Sequence, residues 1–222
     1  MRRICDVLVL IETCDRVRPT SSAYAGEHSH PRPHCPEGER WTTVWIRLPV
    51  VKRITTIDPL RTVALLLSYG SAGLLIYGTV LPWHSDLGDA RAEPRPRNWQ
   101  EHRRVVEEQT REWRALGVQF PDALLAIAGD WNSDLLAGSG LARRSYGPTA
   151  EAKRLVESLD ELGLQVPTRN VPDPGGQRPR LIDHIAVPRG ETSVDVVPAI
   201  GSDAKTLSDH PLVSVDWCTH CV

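Results

Sequence analysis

Four short stretches of this sequence carry residues able to bind metal or move protons, and each lies at one end of an apolar run. Glu12 follows Val7 to Ile11, and Asp130 and Asn132 follow Ala123 to Ala128. Asp183 and His184 head the run Ile185 to Val187, and Asp209-His210 stand just before Leu212 to Val215. Ligand clefts form where buried strands end. The carboxylates and the amide are hard oxygen donors of the kind that magnesium or manganese takes, and imidazole adds a group that titrates near neutral pH. Singly, each cluster has a plainer explanation, because Asp and Asn are common turn formers after strands and Asp-His-Pro is an ordinary loop sequence. Together, and in this order, they argue for one chemical site.

The local wording of these stretches resembles that of a known family. Asp6-Val7-Leu8-Val9-Leu10-Ile11-Glu12 looks like the metal-ligand strand of the endonuclease/exonuclease/phosphatase superfamily, the group that includes DNase I, and Gly129-Asp130-Trp131-Asn132 looks like its Gly-Asp-Phe-Asn element. Leu181-Ile182-Asp183-His184-Ile185 and Ser208-Asp209-His210-Pro211-Leu212 are similar to its last two motifs. The resemblance runs from Asp6 to Val215. It implies an α/β fold, a four-layer sandwich in which two mixed sheets pack face to face with helices outside. It also implies a divalent-metal-dependent phosphoester hydrolase using magnesium, with manganese as the alternative.

By the same resemblance Glu12 is a metal ligand, and Asp209 is a second one, directly or through water. Asp130 orients or deprotonates the attacking water, and Asn132 bonds the phosphate or that water. His210 acts as base or donates to the phosphate, with Asp183 holding its ring in one tautomer. The substrate implied is a phosphodiester, with nucleic acid the commonest class in the family. A phosphomonoester or a phospholipid-type substrate on the same scaffold is the alternative, and a binding protein without turnover is a third reading.

Two departures from the family pattern stand out. Val80, in Tyr77-Gly78-Thr79-Val80-Leu81-Pro82, occupies a place where members often carry His or Asn. His84 is four residues on, roughly 13 Å along an extended strand, and reads as a surface histidine. The resemblance also begins at the family's second motif, with only Met1 to Cys5 ahead of it, so an N-terminally truncated domain over residues 1–217, with a tail of 218–222, is expected.

The elements that must position these residues follow from periodicity. Val7 to Ile11 and Ala123 to Ala128 are continuous apolar runs, as in strands buried on both faces. Trp41 to Val51 has strand character, whereas Thr13 to Arg40, rich in Pro, His and Ser, reads as a long surface loop. The uncharged stretch Thr62 to His84 is long enough to span a bilayer, but the turn formers Ser68 to Gly73 divide it into the hairpin strands Val63 to Leu67 and Leu74 to Leu81. A helix is expected from Asn98, with Asn98 and Glu101 in capping-box positions and Trp99, His102, Val106, Trp113 and Leu116 on its buried face. A second covers Thr149 to Leu162. Leu181 to Val187, Val194 to Val197 and Leu212 to Val215 supply strands.

Composition narrows the rest. At 222 residues, 41% of them hydrophobic, the chain can bury one sizeable core. A formal charge of −2 gives no global attraction to nucleic acid. Arg143-Arg144, Arg178 and Arg180 read as solvated loop cations more readily than phosphate contacts, and no run interleaves basic and aromatic residues as single-strand binders do. Five cysteines are a poor disulfide framework and suit a reducing cytoplasm. Cys218-Thr219-His220-Cys221 has half the spacing of a zinc knuckle, and a polar tail is its plainer reading. No signal peptide, membrane span or obligate protein partner is indicated.

Overall fold

The computed structural model describes residues 5–86, 97–135, 146–174, 180–199 and 208–218. Arg143, Arg144, Arg178, His220 and Cys221 lie outside these. The chain forms two compact units, one of residues 1–81 and 107–130, the other of residues 82–106 and 131–222.

In the first unit β1 (Val7–Cys14), β2 (Ala25–His28) and β3 (Glu39–Ile46) form an antiparallel sheet in the order β1-β3-β2. The segment expected to be one long loop thus contains a strand, because Ala25 to His28 pairs with Thr43 to Ile46. Gly26 allows it, since a Cβ there would come within 2.5 Å of the Trp45 ring. The expected strand Trp41 to Val51 is two strands, because the chain leaves this sheet after Ile46 and enters another at β4 (Val50–Ile54).

β4 is followed by β5 (Thr62–Tyr69), β6 (Ala72–Val80) and β7 (Ala123–Asp130), hydrogen-bonded in that order. β5 and β6 are the expected hairpin, turning at Gly70 and Ser71. β7 runs parallel to β6. Parallel neighbours need a crossover, and α1 (Gln100–Gln119) lies between them in sequence. Among the described residues no helix is long and apolar enough to cross a membrane.

The two sheets of this unit pack face to face where Gly78 leaves room. A Cβ at Gly78 would meet Thr42, Val44 and Val9 at 2.9 to 3.2 Å. Beyond the aliphatic core lies a buried polar group. Tyr77 donates to Glu112 Oε2 at 2.6 Å, the Ile57 amide donates to Glu112 Oε1 at 2.8 Å, and Thr79 donates to Gln109 at 2.9 Å. Burial raises the Glu112 carboxyl above its ordinary range and the Tyr77 phenol well above its own. Trp113 and Leu116 are buried on this part of α1. The α/β fold expected from the sequence is the fold observed.

The second unit holds the first residues of α1, then α2 (Thr149–Glu161), β8 (Leu164–Gln165), a 3-10 turn over Pro167–Asn170, β9 (Asp183–Pro188), β10 (Thr192–Val197) and β11 (Leu212–Trp217). β8 pairs with β9, and β10 with β11, all antiparallel. Ala152, Leu155 and Leu159 of α2 are buried, as its period requires. The expected capping box at Asn98 is absent. α1 starts at Gln100, whose side chain accepts from the Arg97 amide at 2.9 Å, and Trp99 precedes it at φ +64°.

The close approach at Gly78 yields a test. Replacing Gly78 by Val should cost about 1 to 3 kcal/mol through overpacking, read as a lower thermal midpoint by roughly 2 to 4 °C per kcal/mol in a chain of this size. An unchanged midpoint would mean that the sheets part without penalty.

Candidate active site

The Gly-Asp-Trp-Asn element is built on one close backbone approach. Gly129 takes φ +146°, and a Cβ there would lie 1.8 Å from the carbonyl oxygen of Thr79, so no other residue fits beside β6. This approach continues the parallel ladder to Val80 and Asp130, and the Leu81 amide donates to the Asp130 carbonyl at 2.8 Å. Asp130 therefore ends β7 as a buried carboxylate. Val80 is buried in β6, so the position where the family often carries a polar side chain here belongs to the apolar core.

Past Asp130 the chain enters the second unit. Trp131 is fully buried, its amide donating to the Ile182 carbonyl at 2.9 Å and its ring meeting that of His184 at 5.3 Å. Asn132 adopts φ +46°, a left-handed conformation uncommon outside glycine. Tyr146 holds it there. The Tyr146 hydroxyl donates to Asn132 Oδ1 at 3.3 Å, while the Asp134 amide donates to the Tyr146 carbonyl at 3.0 Å and the Tyr146 amide to Asp134 Oδ2 at 2.8 Å. With Oδ1 accepting from Tyr146, the NH2 group is the donor end of the Asn132 side chain.

His184 and Asp183 are neighbours in β9 and so face opposite sides of it. His184 is completely buried: its Nε2–H donates to the Ser133 carbonyl at 2.8 Å, and Nδ1 accepts from the Thr168 hydroxyl at 3.0 Å. Burial pushes its pKa down to about 4, against the milder opposing effect of the Ser133 carbonyl. The ring is neutral at pH 7 and is part of the core, a role that its place among the polar clusters did not suggest. Asp183, on the other side of β9, accepts from His210 Nδ1 through Oδ2 at 2.7 Å, both side chains being largely buried, at 13% and 20% exposed. A proton on Nδ1 makes Nε2 the basic nitrogen of the neutral ring. His210 is placed by a hydroxyl turn, its amide donating to Ser208 Oγ at 3.0 Å just ahead of β11.

The two carboxylates read as metal ligands are both exposed, Glu12 in the first unit and Asp209 in the second. Glu12 sits at φ +47°, and the β1–β3 pairing passes from Ile11–Thr42 to Thr13–Arg40 without it. His84 is exposed, as expected. Tyr146 and Trp99 were missed in the sequence, the first because Ser-Tyr-Gly-Pro reads as a plain turn, the second because it fitted the buried helix face. Trp99 is instead half-buried, its ring 5.9 Å from Tyr146 and 5.1 Å from His102. His102 donates through Nδ1 to the Pro82 carbonyl at 2.6 Å, and burial pushes its pKa to about 4.

No family model and no curated protein matches the chain. Solved structures do. The human Nocturnin catalytic domain with bound sulfate is 16% identical, with 96% of this chain and 81% of that one covered at a TM-score of 0.60. A truncated Caenorhabditis elegans TDP2 is also 16% identical, covering 95% and 83% at 0.59. The endonuclease domain of TRAS1, a telomere-specific non-LTR retrotransposon, is 14% identical, covering 97% and 87% at 0.59. All three have the DNase I-like fold of the endonuclease/exonuclease/phosphatase superfamily. This chain has the same fold.

The two buried histidines give a pH test with a definite sign. Each has a folded pKa of about 4 against an ordinary 6.5, so between these values the unfolded chain binds a proton that the folded one refuses. Their stabilising effect is complete above pH 6.5 and is lost as pH falls towards 4, on the order of 2 kcal/mol per histidine by pH 5. Glu112, whose carboxyl is raised, acts in the opposite sense and contributes equally in wild type and histidine variants. His184→Gln should therefore be less stable than wild type at pH 7 and show a shallower loss from pH 7 to pH 5 in denaturant midpoints. Parallel losses in the two proteins would show that His184 is not held neutral.

Proposed function

We propose that this chain is a magnesium- or manganese-dependent phosphodiesterase, with a nucleic-acid strand as its substrate class. The observation that carries the reading is the 2.7 Å Asp183–His210 pair, which joins two motifs 27 residues apart on a DNase I-like fold. An imidazole with Nδ1 tied to a carboxylate has one fixed tautomer, and its Nε2 then either takes a proton from water or, protonated, donates to a phosphoryl oxygen.

The donor set fits a hard divalent cation. Glu12 and Asp209 are exposed carboxylates, and among the described residues neither has a hydrogen-bond or ion-pair partner for its side chain. By the resemblance of their sequence motifs Glu12 would be a ligand of the ion and Asp209 a further one, directly or through water, and a divalent cation would supply polarisation of a phosphoryl oxygen and stabilisation of the leaving oxyanion. Asp130, at the end of β7, orients the attacking water or accepts its proton. Asn132 donates its amide N–H to the phosphate, held in that orientation by Tyr146. Asp183 keeps the His210 ring in place and stabilises its charged form.

Two measurements test this. Hydrolysis of a generic phosphodiester should disappear after exhaustive chelation and return on adding magnesium or manganese, and full activity in chelator would remove the metal from the mechanism. His210→Ala and Asp183→Asn should each lower turnover, by about 10²- to 10⁴-fold for the histidine, and the double variant should be little worse than the poorer single one. Losses that multiply would mean that the two side chains act separately.

A further inference from the structure

We propose that Trp99 and Tyr146 form a stacking subsite that seats a nucleobase next to the phosphate held by Asn132, so that the strand is bound with an unpaired base. The proposal rests on the reading of Asn132 as a phosphate donor. Its geometry lies wholly within the second unit.

The chain of contacts starts at Asn132, whose Oδ1 accepts from the Tyr146 hydroxyl, and passes through the Tyr146 ring to Trp99, the two rings edge to face at 79°. Both aromatic side chains are half-buried, in a chain with only 7 Trp, 4 Tyr and 1 Phe. Trp99 is held at φ +64°, a conformation that is a true outlier for so bulky a residue. Three backbone hydrogen bonds keep the strained segment in place: the Trp99 amide to His84, the Gln100 amide to Arg97, and the Arg103 amide to Trp99. Trp99 is strained yet only partly buried, its ring packed on those of His84, His102 and Tyr146, and such strain gathers where ligands are clamped.

The surroundings select the ligand. Behind Trp99 stands His102, neutral at pH 7 and buried, which supports the ring without adding charge. Arg97 and Arg103 flank Trp99 in sequence, Arg97 exposed and Arg103 half-exposed beside Glu151 at 3.5 Å. Cations on the same segment as the ring suit the anionic backbone of a nucleic acid better than a quaternary ammonium group. The rings also close on one another at 5 to 6 Å, which leaves no box between them for such a cation, whereas a planar base needs one exposed ring. A base paired inside a duplex cannot reach a ring in this way, so the strand must be single or locally opened.

The test separates this subsite from the reaction. Binding is measured by fluorescence anisotropy in chelator, using a labelled single-stranded thymidine decamer and a decamer of the same length with tetrahydrofuran abasic residues. The wild-type protein should bind the base-bearing strand about tenfold or more tightly than the abasic one. Trp99→Leu should lose that preference, and Trp99→Phe should keep most of it. Equal affinity of the wild-type protein for both strands would overturn the subsite without the use of any variant, as would a Trp99→Leu loss that is equal for both. Stronger competition by phosphocholine than by thymidine monophosphate would overturn it in favour of a lipid headgroup. Base-dependent binding with no hydrolysis of any phosphoester would instead remove the reaction and leave the subsite standing.

Discussion

A neutral imidazole buried between two strictly placed partners organises the second unit. His184 accepts a hydrogen bond from the Thr168 hydroxyl at Nδ1 and donates one from Nε2–H to the Ser133 carbonyl, so one ring ties the 3-10 turn, β9 and the segment after Trp131 together. Each of these groups, left unpaired in the interior, would cost about 1 to 3 kcal/mol. The functional consequence follows from strand alternation. With His184 committed to the core, Asp183 must emerge on the other side of β9, where it meets His210. On the Ser133 side, the same ring fixes the backbone next to Asn132.

Three non-glycine residues with proposed roles, Glu12, Asn132 and Trp99, all have left-handed backbone conformations. Each costs of order 1 to 3 kcal/mol, and persists only where surrounding structure over-determines it. The means differ. Glu12 is carried between ladder pairs on either side of it, Asn132 is held by Tyr146, and Trp99 is bracketed by backbone hydrogen bonds with His84 and Arg103. In each case the departure takes the side chain out of the regular alternation of strand or helix. A carboxylate, an amide and an indole are thereby directed where regular structure would not place them.

The first unit shows how glycine serves packing in two ways. Gly78 lets the two sheets meet over Thr42, Val44 and Val9, and Gly129 lets β7 touch the Thr79 carbonyl at the point where the ladder ends on Asp130. The second approach is the more demanding, because it needs both the missing Cβ and a positive φ. Behind them, Glu112 satisfies the Tyr77 hydroxyl and the Ile57 amide together.

The sequence by itself determined the strands that carry the polar clusters, because continuous apolar runs such as Ala123 to Ala128 have few alternatives to a buried strand. The hairpin of β5 and β6 and the helix α2 were legible for the same local reason. What tertiary structure decided was which side chains meet. Asp183 and His184 are adjacent and equally polar in sequence, and only the hydrogen bonds of His184 from Thr168 and to the Ser133 carbonyl assign one to the site and the other to the core. β2 was hidden in a proline-rich stretch, since four residues become a strand only when β3 supplies their partners. Trp99 matched a helical period that the real start of α1 does not extend to it, and Tyr146 lies 47 residues further along the chain. Spacing along a chain reports local periodicity, whereas the contact from Trp99 through Tyr146 to Asn132 is a non-local arrangement that packing alone creates.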